Sequence, residues 1–109
     1  MTLENPEDNK LVVLAKATRA RTGAAQGAAL RDLDGRTYAG ATVDLPSLRV
    51  SALEVCIAMA VASGARGAEA AVVLGEGETE LGALGDFAGP GVPVHLGTPI
   101  GQIAETRST

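Results

Sequence analysis

Cysteine, histidine and aromatic residues are scarce in this 109-residue chain: one cysteine, one histidine, one tyrosine, one phenylalanine and no tryptophan. A lone cysteine, Cys56, forms no internal disulfide, so nothing in the composition calls for an oxidising compartment. With Tyr38 and Phe87 as the only aromatics, the core has to be built from Ala, Val, Leu and Ile. Such a core favours close backbone approach over large side-chain plugs. Basic charge is also short: nine Lys and Arg face 13 Asp and Glu, for a net charge of −4. A nucleic-acid surface needs a basic face to neutralise phosphates, and none is present. Lys16, Arg19 and Arg21 read as a solvated helix end. No apolar run approaches the roughly 20 residues of a membrane helix. The start, "MTLENPEDNK", is polar and acidic, unlike a secretory leader. The expectation is a cytoplasmic protein without nucleic-acid or membrane partners.

What the chain does contain is a clear succession of elements. Its length suits one domain, residues 1–109, with a polar N-terminus (1–5) and a tail (104–109) expected to fray. Asn5 before Pro6 and two acids predicts a helix start: a cap, a first-turn proline, and carboxylates against the helix dipole. That helix stops at Gly23. Two strand-like runs, about 26–31 and 36–43, flank "DLDG" as a hairpin. After Pro46 a second helix spans about 51–63. "AEAAVVLG", 68–75, is a continuous apolar run of strand length, the pattern of a strand covered on both faces. A weak helix interrupted by Gly82 and Gly85 follows over about 79–87, then the strand "VPVHLG", 92–97. Helices separated by strands in this order imply a sheet with helices on its faces.

Several residues invite a chemical role. Cys56 as a nucleophile would need a base or a positive neighbour to form thiolate. On an Ala-rich helix among Ile and Met it reads instead as a small buried hydrophobe. His95 with Asp86, Glu80 or Asp44 would make a metal site, but no ligand spacing such as H-x-x-x-H supports one. "GEGETELGALG" has the glycines of a phosphate loop and none of its lysine, so it reads as a flexible connection.

The stretch "QGAALRDLDGRTYAGATVDLPS", 26–47, resembles the small homotetrameric cytidine deaminases. Their hairpin reads V-G-A-A-L, D-G, then Y-x-G-x-N-V-E-N-A-S. The matching residues are Gly27, Ala28, Ala29, Leu30, Asp34, Gly35, Tyr38, Gly40, Val43 and Ser47. The element order fits that family from about residue 10 to 97. The resemblance implies a three-layer α/β/α sandwich with a mixed sheet. In that family the next helix opens C-A-E, where the cysteine binds zinc and the glutamate moves protons between the zinc-bound water and the base. Those positions fall on Leu53, Glu54 and Val55. A second motif, P-C-G-A-C, supplies two more zinc cysteines and falls on "ELGAL", 80–84, which places them at Leu81 and Leu84.

All three metal-ligand positions are therefore leucine. Zinc needs N, S or O donors and an open place for water, so zinc is expected to be absent and the family's hydrolysis lost. Glu54 does not replace the missing acid, because one residue along a helix turns a side chain by about 100°. "SALE" is instead a capping box of Ser51 and Glu54. The aromatic that packs on the pyrimidine falls on Ala24. The ribose-holding N-V-E becomes Thr42, Val43 and Asp44, of which Thr42 and Asp44 still offer polar atoms for weak nucleoside binding. By resemblance the chain forms a homodimer or homotetramer, its Ala-rich second helix allowing close helix packing. Two function classes follow. One is a pseudoenzyme with an interaction or regulatory role; the other is a divergent nucleoside deaminase using non-standard ligands.

Overall fold

The computed structural model describes residues 3–109. Helix α1 (Pro6–Thr22) begins as its sequence dictates, with the Asn5 side chain accepting from the Glu7 N–H at 2.8 Å. It ends at Gly23, which adopts the left-handed conformation (φ 67°) natural to glycine at a helix stop. Strands β1 (Gln26–Asp32) and β2 (Thr37–Ala41) form the hairpin. Its turn is organised by Asp32, whose Oδ1 accepts from the backbone N–H groups of Asp34 (2.9 Å) and Arg36 (3.0 Å). The Tyr38 hydroxyl donates to Asp32 Oδ2 at 2.8 Å. Burial raises the Asp32 carboxyl's pKa, but these hydrogen bonds outweigh it and hold the group below its usual range. The stability this supplies is present at neutral pH and lost as pH falls through the acid range.

Helix α2 (Ala52–Ala62), strand β5 (Ala68–Gly75), helix α3 (Gly82–Ala88) and strand β6 (Pro93–Gly97) follow. Together with β7 (Ile103–Ser108) the strands make one sheet in the order β2-β1-β5-β6-β7. Only β5 and β6 run parallel; the other neighbours are antiparallel, so the sheet is mixed. Helix α1 covers one face, where Leu11 and Ala15 pack on Ala29, Ala70, Val72 and Leu74. Helices α2 and α3 cover the other, over Ala28, Leu30, Ala71, Val73 and Val94. Successive strand residues point to opposite faces, so an apolar run serves both cores and β5 needs no polar side. The architecture is the three-layer mixed α/β sandwich. Among the described residues no helix is long and apolar enough to cross a membrane.

The aromatic-poor core does bring backbones close. A Cβ at Gly27 would sit 2.6 Å from Arg19 Cβ, against the body of α1. Gly27→Ala is therefore expected to cost about 1–3 kcal/mol by overpacking, read as a lowered midpoint in urea unfolding.

Four expectations need correction. The tail, 104–109, does not fray. It forms β7 antiparallel to β6, and Thr109 is pinned by bonds from its N–H to Val92 O (3.1 Å) and from its Oγ1 to Gly89 O (2.7 Å). At the other end Leu3 is buried against the α1 core and Asn5 is the helix cap, while Met1 and Thr2 lie outside the described residues. The second strand stops at Ala41. Val43–Leu45 (β3) and Leu48–Val50 (β4) make a separate two-stranded ribbon around Pro46–Ser47, because proline fixes φ for a turn. The weak helix starts only at Gly82, leaving 76–81 as loop.

Candidate functional site

The N-terminal ends of α2 and α3 meet over the sheet. At α2 the Ser51–Glu54 capping box is complete: Ser51 Oγ accepts from Glu54 N–H at 3.1 Å, and Glu54 Oε1 accepts from Ser51 N–H at 2.9 Å. This fixes Glu54 on the solvent side and turns Leu53 inward. Leu53 is 1% exposed and Leu84 is fully buried, both in the core between the sheet and α2–α3. Leu81, the residue before α3, is half-buried and packs against the same cluster. The corner is apolar. Leucine offers no lone pair, and among the described residues no three His, Cys, Asp or Glu lie close enough to share a metal ion. The side chains at positions 53, 81 and 84 do not fit zinc, which needs N, S or O donors.

Val55 is half-buried and faces Gly40 of β2, where an added Cβ would meet Val55 Cβ at 3.0 Å. It carries no group that can move a proton. Thr42 Oγ1 accepts from Gln26 N–H at 3.1 Å and donates to Gln26 O at 3.3 Å, which ties the end of β2 to β1. Asp44 sits on the ribbon, 78% exposed, in an ion pair with Arg49 at 3.3 Å. Thr42 is thus engaged in the fold and Asp44 faces solvent.

Cys56 is fully buried in the α2 core, and burial pushes its thiol up to about 12. The unfolded thiol ionises near 9.0, so its contribution to stability is present below that pH and lost as pH rises toward 12. Cys56 is expected to resist an aromatic disulfide reagent at pH 8 in the native protein and to react once per chain after denaturation. Rapid labelling of the native chain would contradict its burial.

His95 is on the opposite face of the sheet from Cys56, so the two do not meet. Nor does it gather with Asp86, Glu80 or Asp44. Its Nε2 lies 2.9 Å from Asp8 Oδ2 at the start of α1, and its Nδ1 lies 2.7 Å from Thr106 Oγ1 on β7. Asp8 Oδ1 in turn makes an ion pair with Arg31 Nη2 of β1 at 2.9 Å. Asp8, Arg31 and His95 are all buried, and they fasten α1 to three strands. Sequence reading missed this network because its members are 23 and 64 residues apart in the chain. The one hint was a charged Arg31 directly after the apolar run "GAAL".

A family model described as "Cytidine deaminase-like" matches residues 4–101. Among solved structures, a cytidine deaminase from Burkholderia pseudomallei is 27% identical, with a TM-score of 0.73 over 93% of this chain and 90% of that one. A cytidine deaminase from Mycobacterium leprae is 22% identical, with a TM-score of 0.71 over 95% and 94%, and supports the fold. No curated protein sequence matches. The hairpin, the two helix starts over the mixed sheet and the near-complete family match agree: the chain belongs to the cytidine deaminase-like family.

Proposed function

We propose that this chain is a zinc-free member of its family, without deaminase activity, that acts as a homo-oligomeric interaction or regulatory module. The observation that carries this reading is the leucine at all three aligned ligand positions, with Leu53 and Leu84 inside the core. Without a metal nothing lowers the pKa of a water toward neutrality, and Val55 stands where the proton-carrying glutamate would be. A homodimer or homotetramer is supported by apolar surface. Val61 on α2 is 55% exposed, beside exposed Ala58 and Ala62, and Leu45 and Leu48 on the ribbon are 55% and 52% exposed. A cytoplasmic setting belongs to the same reading.

The test is incubation of concentrated protein with cytidine and deoxycytidine, followed by chromatography for uridine and deoxyuridine. No product is expected. Turnover that scales with protein and is abolished by a chelator would overturn the reading in favour of a divergent deaminase. Residual nucleoside binding through Thr42 and Asp44 would show as about 1.4 kcal/mol of stabilisation at ten times the dissociation constant. Asp44→Ala would remove it.

A further inference from the structure

Asp8 of α1, His95 of β6 and Thr106 of β7 form a line of hydrogen bonds that runs from the interior to the surface. Asp8 and His95 are buried, while Thr106 is exposed. His95 Nε2 lies 2.9 Å from Asp8 Oδ2, and His95 Nδ1 lies 2.7 Å from Thr106 Oγ1. The partners settle where the protons sit. The Asp8 carboxylate, ion-paired with Arg31 at 2.9 Å, only accepts, so Nε2 carries the hydrogen of the neutral imidazole. That leaves the lone pair of Nδ1 aimed at the Thr106 hydroxyl. A hydroxyl within hydrogen-bond reach of a base, with the base oriented by a third group, is the arrangement of an activated nucleophile. It is recognised by geometry and not by chain order. Fastening α1 to the sheet uses Asp8, Arg31 and His95, but it does not call for a hydroxyl at the exposed end.

We propose that Thr106 is a site of covalent acylation, with His95 as its general base and Asp8 as the residue that positions the imidazole. Thr106 Oγ1 attacks the carbonyl carbon of an activated acyl compound, a thioester or an aryl ester, and forms the new ester bond. The bond from that carbon to the leaving group breaks, and its electron pair departs with the leaving group. The hydroxyl proton passes to His95 Nδ1, and nothing is oxidised or reduced. Phosphoryl transfer is a poorer match, because it relies on cations around the charged phosphoryl oxygens. Arg31, the guanidinium of this network, is already engaged by Asp8 and by Glu69 at 3.8 Å. The inference is independent of the zinc-free reading, since the two share no residue.

The test is brief exposure of the full chain to 4-nitrophenyl acetate, an acid quench, and peptide mapping of the acetyl esters by mass spectrometry. Ser47 on the ribbon is the internal reference, an exposed hydroxyl with no histidine beside it, since the chain's single histidine is His95. Thr106 is expected to acetylate about a hundredfold faster than Ser47, the scale of general-base assistance. Thr106→Ser should keep that preference and His95→Gln should lose it. Asp8→Asn should lower the rate at position 106 and leave the rate at Ser47 unchanged, which a purely structural role would not do. Should the His95 or Asp8 variant fold poorly, the unaltered chain in urea repeats the test, with the preference expected to vanish on unfolding. Equal rates at Thr106 and Ser47 in the native chain would overturn the proposal. So would a preference that survives in His95→Gln, in Asp8→Asn or in urea.

Discussion

Leu84→Ala is expected to destabilise the protein by about 2–5 kcal/mol, as deletion of a fully buried leucine does when the walls of the cavity relax only partly. Leu53→Ala should cost a similar amount, and Leu81→Ala less, because Leu81 is only half-buried. Urea unfolding of the three variants gives this order directly. The ranking matters as much as the size: the two deeply buried positions should behave as core. A cost below about 1 kcal/mol at both Leu53 and Leu84 would mean that they contribute little packing, and the apolar corner would lose its structural explanation.

Asp8→Ala should be as damaging, about 3–5 kcal/mol, for an electrostatic reason. Removing the carboxylate leaves the buried Arg31 guanidinium without its closest counter-charge, with only Glu69 at 3.8 Å. Arg31 Nη1 already lacks a hydrogen-bond partner, so little else can compensate. His95 loses its Nε2 partner at the same time. Replacing both members of the pair, Asp8→Leu with Arg31→Met, should recover much of the loss, because two apolar groups of similar volume leave no charge stranded. A double variant as unstable as Asp8→Ala would show that the aspartate acts through the histidine or through helix capping instead of through the arginine.

Local chemistry made much of this fold legible. Asn5 and Pro6 fixed the start of α1, "AEAAVVLG" marked a strand buried on both faces, and Ser51 with Glu54 announced the α2 cap that the structure contains. The ribbon and β7 were not legible, for a shared reason. Val43–Leu45 and Leu48–Val50 are three residues each, too short for a periodicity, and Ile103–Ser108 is a polar edge strand whose evidence is its pairing with β6. At the candidate site, Leu53, Leu81 and Leu84 were singled out only by the family resemblance, and their packing in one apolar cluster is visible only in the structure. The Asp8–Arg31–His95 network stayed hidden because it exists only once α1 lies across the sheet.

The most direct measurement is the zinc content of the protein purified from zinc-supplemented cells, by plasma mass spectrometry against protein concentration. The expected result is far less than one zinc per chain, unchanged in Leu53→Ala. One tightly held zinc per chain, released only by a strong chelator or by unfolding, would contradict the account at its centre.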